Sequence, residues 1–189
     1  MGKNTNEYRL VLLAQTGDRN AFNDLFLSVQ EKLYRYIYHI TQDKVMSDDL
    51  FQEVLITIFK NIRWLREPEF FKSWMYRIAT RAAFKALKKK KRFKETSLDE
   101  LGELERHLPD AEAQIILKET LESVSSVISE LSPASRSVLS LHYFEEMSLR
   151  EISCLVDIPI GTVKSRLSYG ILKLREKIKK VGRPSPVNG

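Results

Sequence analysis

The most distinctive chemistry in the chain is a row of cations that shares one helical face with a tryptophan. When residues 70–92 are projected as a helix at about 100° per residue, one stripe of side chains holds Trp74, Arg77, Arg81, Lys85, Lys88 and Arg92. Cations neutralise the phosphates along a nucleic-acid strand, and an exposed indole ring stacks on an unpaired base. The pattern therefore indicates a surface for unpaired nucleic acid. The alternative is a core tryptophan beside a solvated charged face.

Side chains that can read DNA bases recur near the C-terminus. Ser148 and Glu151 have the spacing of a capping box at the start of a short helix, and residues 157–159 are typical of a turn. A last helix is predicted to begin near residues 160–162, which makes a helix-turn-helix whose second helix would lie in a major groove. Of its outward side chains, Thr162, Ser165, Arg166 and Tyr169 suit base edges, and Lys164, Lys173 and Arg175 suit phosphates. The alternative is an ordinary helical hairpin with a basic outer face.

Four helices in the N-terminal half would position the cationic stripe. They are predicted at about 6–15, at about 19–42, from residue 48 onward, and at about 70–92. Asp18 is the expected N-cap of the second helix and Ser47 that of the third. Asp48 and Asp49 would then lie in the first turn of the third helix, where the helix dipole favours carboxylates.

The composition excludes several classes of protein. The chain has 189 residues, with 31 Lys and Arg against 25 Asp and Glu and only 7 Gly and 6 Pro, which favours small helical domains over a large multidomain enzyme. The net charge of +6 suits a polyanionic partner. The single cysteine, Cys154, excludes an intramolecular disulfide and a zinc cluster of cysteines, and we expect it to be buried. A single cysteine also suggests a reducing compartment, so the expected location is the cytoplasm. No apolar run approaches the ~18 residues of a membrane span.

Charge divides the chain into three blocks. Residues 1–94 carry 19 basic and 10 acidic side chains, residues 95–130 carry 2 and 10, and residues 131–189 carry 10 and 5. Residues 95–112 hold seven carboxylates and no aromatic side chain, so they cannot bury a core. We therefore predict an all-α protein in two small domains. These are a four-helix domain at 1–94 and, after a flexible acidic linker at 95–112, a helix-turn-helix domain at 113–183 that precedes a disordered tail at 184–189.

Three motifs, taken in order along the chain, resemble those of bacterial RNA polymerase sigma factors of the extracytoplasmic-function (ECF) group. They are residues 48–54 (DDLFQEV), residues 71–79 (FKSWMYRIA), and residues 151–152 (EI) followed by 158–167 (IPIGTVKSRL). The resemblance implies a non-catalytic sigma factor that binds core polymerase, recognises −35 and −10 promoter elements and melts the DNA. The implied partners are core RNA polymerase, through its β′ clamp and β flap, promoter DNA and an anti-sigma factor, with no small-molecule substrate.

The resemblance also implies a role for each matching residue. The polymerase contacts would be Asp49, Leu50, Gln52 and Glu53, with Phe51 and Val54 either in that interface or in the core. The loop at residues 64–71 would cradle a flipped base of the −10 element. The implied −10 contacts are Trp64, Arg66, Trp74, Arg77, Arg81, Lys85 and Lys88, and the implied −35 contacts are Thr162, Lys164, Ser165, Arg166, Tyr169 and Lys173.

Four positions depart from the family pattern. Arg81 and Lys85 stand where many members have Asn and Asp, and both changes add positive charge to the stripe. Tyr169 and Gly170 stand where Arg and Ala are frequent, and a glycine inside a helix costs ~1 kcal/mol relative to alanine. We therefore expect −10 and −35 preferences that differ from those of the family.

Two other classes of function compete with a sigma factor. A metal-dependent enzyme could use Asp49 and Glu53, which lie one helical turn apart, but His39, His107 and His142 have no metal-ligand spacing. We therefore expect no catalytic, metal or cofactor site. An autonomous helix-turn-helix DNA-binding regulator would use only the last two helices and would leave the cationic stripe without a role.

Overall fold

The structure is a computed structural model that describes residues 2–96 and 128–181. Every regular element in these two segments is helical, which confirms the all-α prediction. Most of the predicted acidic linker and the predicted tail at 184–189 lie outside the described residues. No helix in the described segments is both long and apolar enough to cross a lipid bilayer.

The N-terminal segment contains four α-helices and two short 3-10 turns. They are α1 (Gly2–Gln15), α2 (Arg19–Thr41), α3 (Lys44–Asn61), the 3-10 turns Ile62–Trp64 and Pro68–Phe70, and α4 (Phe71–Thr96). The predicted cap of α2 is confirmed, because the Asp18 carboxylate accepts hydrogen bonds from the backbone N–H groups of Asn20 and Ala21. Gly17 ends the preceding turn with φ of +93°, a left-handed conformation that favours glycine.

The start of α3 differs from the prediction. The N-cap is Asp43, whose carboxylate accepts a hydrogen bond of 3.0 Å from the Met46 N–H, and not Ser47. Ser47 is buried inside the helix and its hydroxyl donates to the Asp43 carbonyl at 2.6 Å. Asp48 and Asp49 therefore lie beyond the first turn. The earlier cap prevails because a helix that begins at Lys44 lets Met46 pack against the core.

The C-terminal segment contains three α-helices: α5 (Pro133–Tyr143), α6 (Leu149–Val156) and α7 (Ile160–Val181). The predicted capping box is confirmed, because the Ser148 N–H donates to the Glu151 carboxylate at 2.8 Å and the Glu151 N–H donates to the Ser148 hydroxyl at 3.3 Å. Asp157 ends α6 in a left-handed conformation with φ of +55°. Helices α6 and α7 thus form the predicted helix-turn-helix.

Helix α5 lies between the helix-turn-helix and the N-terminal helices. Residues 135–141 are all buried, so α5 is covered on every side. It packs against α6 and α7 on one side and against α2 on the other, and α6 in turn packs against α4. The helix-turn-helix therefore rests directly on the N-terminal helices, and the two segments share one continuous core.

Candidate nucleic-acid interface

The cationic stripe of α4 is present on the surface. Arg81, Lys85 and Lys88 are exposed, whereas Trp74 and Arg77, which lie nearer the start of the helix, are half-buried. The opposite face of α4 is anchored in the core by Met75 and Ala79. This packing fixes the direction in which the cations point. A nucleic-acid strand running along α4 would therefore meet them one after another, in their order along the chain.

The Trp74 ring stands at the wall of a cleft rather than inside the core. It packs against the Phe71 ring at a centroid distance of 6.2 Å with a tilted geometry. The cleft has a volume of about 440 Å³ and is lined on the N-terminal side by Leu65, Arg66, Glu67, Phe70, Ser73, Trp74 and Arg77. The structure thus places the predicted base-cradling loop beside the predicted stacking ring.

Trp64 lies apart from this cleft. Its side chain is 69% exposed, and the Arg63 guanidinium sits 4.9 Å from the centre of its ring. It lines a different groove, together with Phe22 and Phe59. Trp74, by contrast, shares its cleft with one cation of α4, Arg77.

Gln15 holds the loop in place, a role that helical periodicity did not reveal. Its side-chain amide donates to the backbone carbonyls of Ile62 at 3.1 Å and of Leu65 at 2.6 Å. Nearby, the Lys72 ammonium pairs with the Glu7 carboxylate at 3.0 Å. Helix α1 therefore acts as a brace for the loop and for the start of α4. The only signal in the sequence is a polar residue at the last position of the helix.

The predicted polymerase-binding residues divide between surface and core. Asp49, Gln52 and Glu53 are exposed on one side of α3. Leu50 is only 5% exposed and packs in the core, but it also lines a groove with Asp49 and Glu53, so its part in polymerase binding stays a prediction. Periodicity explains this burial, because Leu50 shares the inward face of α3 with Val54.

Two polar contacts tie α3 to its neighbours. The Lys90 ammonium lies 2.6 Å from the Asp43 carboxylate, and this hydrogen bond lowers the pKa of Asp43. The Tyr34 hydroxyl donates to the Asp48 carboxylate at 2.7 Å, which, with burial, raises the pKa of Tyr34 to about 12. Asp43 and Asp48 are therefore engaged within the protein, whereas Asp49 is an exposed charge on the same helix.

The predicted base-reading face of α7 is open to solvent. Lys164, Ser165 and Tyr169 are exposed, and Thr162, Arg166 and Lys173 are half-buried at its edges. The Lys173 ammonium lies 5.9 Å from the centre of the Tyr169 ring and 3.4 Å from the Glu176 carboxylate. The ring therefore sits beside a cation on the surface that would face a groove.

Gly170 has a packing role that its low helix propensity does not predict. A β-carbon at this position would collide with the side chain of Leu139 on α5. The glycine thus allows α7 to approach α5 closely.

Cys154 is exposed, contrary to the prediction that it is buried. It lies on the side of α6 that faces the cleft beside Trp74, where its backbone carbonyl accepts a hydrogen bond of 3.1 Å from the Arg77 guanidinium. Among the described residues, no group of three His, Cys, Asp or Glu side chains could hold a metal ion.

Comparison with known proteins identifies the family. The model of Sigma-70 region 2 matches residues 25–93, and that of Sigma-70, region 4 matches residues 121–174. The ECF RNA polymerase sigma factor SigW of Bacillus subtilis is 29% identical over 171 residues, which cover 86% of this chain and 91% of SigW. The RNA polymerase sigma-H factor of Pseudomonas aeruginosa is 31% identical over 186 residues, which cover 94% of each chain. The chain belongs to the ECF group of the sigma-70 family.

This ECF sigma factor shares its fold with solved structures. The sigma factor RpoE of Bartonella quintana, in complex with the anti-sigma factor NepR, aligns with a TM-score of 0.69 at 21% identity over 86% of this chain and 98% of RpoE. CnrH, in complex with the cytosolic domain of CnrY, aligns with a TM-score of 0.65 at 17% identity over 93% of this chain and 98% of CnrH. Sigma factors are non-catalytic specificity subunits of RNA polymerase. This one directs core polymerase to promoter DNA for the initiation of transcription.

Proposed function

We propose that this sigma factor divides promoter recognition and polymerase binding among three surfaces. The cleft beside Trp74 and the cations of α4 capture the −10 element, the exposed face of α7 reads the −35 element, and the exposed carboxylates of α3 bind core polymerase. The observation that carries the proposal is the placement of Trp74 at the wall of a cleft, next to Arg77 and in line with the exposed cations of α4.

The energetics of melting support the −10 assignment. Extruding one base from a duplex costs a few kcal/mol. Stacking of that base on the Trp74 ring would return ~1–3 kcal/mol, and Arg81, Lys85 and Lys88 would add phosphate contacts. These gains are of the same size as the cost, so the duplex opens without ATP once the polymerase holds the sigma factor in place. Arg66 at the rim of the cleft suits the flipped nucleotide's phosphate, and Trp64, on its separate groove, suits the neighbouring duplex.

The charge pattern on α3 supports the polymerase assignment. Asp49 and Glu53 lie one turn apart and are exposed, with Gln52 between them. Exposed carboxylates add little to the stability of the fold. Two of them on one face of a helix are suited to recognition by a basic partner. We assign this row to the β′ clamp and the helix-turn-helix domain to the β flap.

Several further features of the chain belong to the same proposal. Residues 1–94 act as the polymerase-binding and melting domain, residues 113–183 as the −35 domain, and the acidic residues 95–112 as the linker between them. The chain has no catalysis of its own and works in the cytoplasm, where RNA polymerase transcribes the chromosome. An anti-sigma factor controls it, as suggested by the complex in which RpoE was solved.

Transcription with purified components tests the proposal. Core polymerase is combined with a library of promoter fragments, with and without this chain, and run-off transcripts are sequenced. We expect transcripts from a defined subset of promoters only when the chain is present. Equal transcription without the chain would contradict the proposal. A gel shift with the chain alone tests the competing hypothesis of an autonomous regulator. Such a regulator would bind a specific duplex without polymerase.

A further inference from the structure

Tyr169 projects an aromatic ring from the exposed face of α7. The residue is 50% exposed and shares one side of the helix with Thr162, Ser165 and Arg166. From Thr162 to Tyr169 the helix rises roughly 10 Å, at ~1.5 Å per residue. That length corresponds to about three base pairs at ~3.4 Å each, so these side chains can meet neighbouring base pairs of one groove.

The packing of α7 fixes the direction of the ring. Val163 and Leu167, on the other side of the helix, are buried in the core. At Gly170 the helix approaches α5 so closely that a β-carbon would collide with the side chain of Leu139. Rotation of α7 about its own axis would disrupt these contacts. The ring of Tyr169 is therefore held outward by the whole helix.

The polar side chains one turn to either side of the ring are engaged within α7. The Ser165 hydroxyl donates to the Thr162 carbonyl at 3.0 Å. The Lys173 ammonium lies 5.9 Å from the centre of the Tyr169 ring, where the π electrons attract it, and 3.4 Å from the Glu176 carboxylate. The middle of this face therefore presents the ring itself to a base.

A tyrosine in the major groove distinguishes bases by its ring rather than by its hydroxyl. The hydroxyl both donates and accepts, so it fits the amino group of one base and the carbonyl of another equally well. The ring gains free energy by covering apolar surface. The C5-methyl of thymine is the apolar group that unmodified base pairs present in this groove. A ring held against the base edges therefore favours thymine.

We propose that Tyr169 selects a thymine in the −35 element, through contact between its ring and the C5-methyl group of the base. This inference rests on the proposed role of α7 and names the base that one of its side chains reads. Lys173 lies one turn beyond the ring, where its charge suits a neighbouring phosphate.

Uracil in place of thymine tests the contact, because the two bases differ by the C5-methyl group alone. Holoenzyme is assembled from core polymerase and this chain. A promoter that it transcribes is then prepared with a single deoxyuridine at each thymine of the −35 region in turn, on either strand. We expect one position at which uracil lowers the rate of open-complex formation about four-fold, the size expected for burial of one methyl group.

Two substitutions separate the ring from the hydroxyl. Tyr169→Phe keeps the ring, so we expect the same four-fold ratio between the thymine and uracil templates. Tyr169→Ala removes the ring, so the ratio should fall to one at that position. Tyr143→Ala is the matched control, because Tyr143 is a 56% exposed tyrosine on α5, and it should keep the four-fold ratio.

Selection from a promoter library gives an independent measurement. Wild type should enrich thymine at the position that the uracil scan identifies, and Tyr169→Ala should accept any base there. The side chain is exposed, so circular dichroism and the thermal midpoint of Tyr169→Ala should match those of wild type.

Three results would overturn the inference. The first is a scan in which uracil has no effect at any thymine. The second is a uracil effect that persists in Tyr169→Ala, which would assign the methyl contact to another side chain such as Thr162. The third is a rate that Tyr169→Phe lowers equally on thymine and uracil templates, with no difference between the templates in any of the proteins, which would assign the hydroxyl to a phosphate.

Failure of the proposed function gives a different result. In that case wild-type holoenzyme would start transcription at no promoter of the library. Transcription from defined promoters with no uracil effect would overturn the thymine contact alone.

Discussion

The hydroxyls of Tyr36 and Ser137 lie 2.8 Å apart, although 101 positions of the chain separate them. The Tyr36 ring is 1% exposed and meets the Tyr76 ring edge-on at 5.0 Å. Burial raises the pKa of Tyr36 to about 12, so the hydroxyl keeps its proton throughout the physiological range and can always donate. A neutral hydrogen bond, not an ion pair, therefore joins α2 to α5 at the centre of the molecule.

A double-mutant cycle on this pair should show coupling. We expect Tyr36→Phe and Ser137→Ala each to lower the free energy of unfolding by about 1–2 kcal/mol, and the double variant to cost less than their sum by about 0.5–1.5 kcal/mol. Urea denaturation measures all four proteins. Tyr34→Phe is the control, because the Tyr34 hydroxyl bonds to Asp48 and not to α5. Strict additivity for Tyr36 and Ser137 would contradict the contact.

Docking of the two halves should weaken as the pH falls. Burial, followed by the positive charge of Arg35, lowers the pKa of His39 from 6.5 to about 4. The Ser140 hydroxyl of α5 and the Phe144 ring, just after α5, lie against His39, and neither carries a negative charge that would offset its protonation. A histidine whose pKa is lower in the docked form than in the open form stabilises the docked form above pH 6.5, where it is neutral in both. This stabilisation is lost as the pH falls from 6.5 to 4.

Quenching of Trp74 by acrylamide between pH 7.5 and 4 measures this loss. The Arg35 charge on the same helix accounts for part of the lowered pKa in either form, so the stabilisation lost over that range is at most on the order of 2–3 kcal/mol. His39→Gln should flatten the pH profile, because it removes the titrating group. A profile that is identical in wild type and His39→Gln would show that another group controls the opening.

Charge reversal on α3 should reduce binding to core polymerase. We expect Asp49→Lys and Glu53→Lys each to weaken binding by at least ten-fold, because they place a cation where the polymerase meets a carboxylate. Both side chains are exposed, so the thermal midpoint should change little. Asp24→Lys, at an exposed position of α2, is the matched charge reversal. Undiminished pull-down of both α3 variants would remove this assignment.

Trp74→Ala should impair promoter opening more than polymerase binding. Loss of a stacking platform worth ~1–3 kcal/mol predicts a roughly 5- to 100-fold loss of open complexes, measured by permanganate reactivity of unpaired thymines. Trp64→Ala removes the same side chain from the separate groove and should have the smaller effect. Equal losses in the two variants would show that the cleft beside Trp74 has no special part in stacking.

Arg166→Ala should reduce discrimination at the −35 element. Wild type should transcribe a promoter with a matched −35 sequence more strongly than one with a substituted −35 sequence. The loss of one arginine contact to a base edge removes about 1–3 kcal/mol of that preference. Ser168→Ala, at a neighbouring exposed position of α7, is the control. If wild type itself transcribes both templates equally, the assignment of base reading to α7 is wrong.

The local sequence was sufficient to predict the helices and most of the candidate surfaces. The cap at Asp18 and the capping box at Ser148 depend on residues three apart or closer. They can therefore be predicted from the sequence without knowledge of any tertiary contact. The exposed cations of α4 followed from helical periodicity alone. Where two residues could serve the same local role, as Asp43 and Ser47 could, packing of the intervening turn made the choice.

The docking of the two halves could not be read from the sequence. Ser137 and Ser140 look like solvent-facing positions, because a short hydroxyl suits water as well as it suits a hydrogen bond to a distant tyrosine or histidine. Only their burial against α2 shows which partner they have. The same holds for Cys154, whose exposure depends on where α6 comes to rest. Periodicity tells which face of a helix is polar, but contacts across 100 residues depend on how separate helices assemble in space.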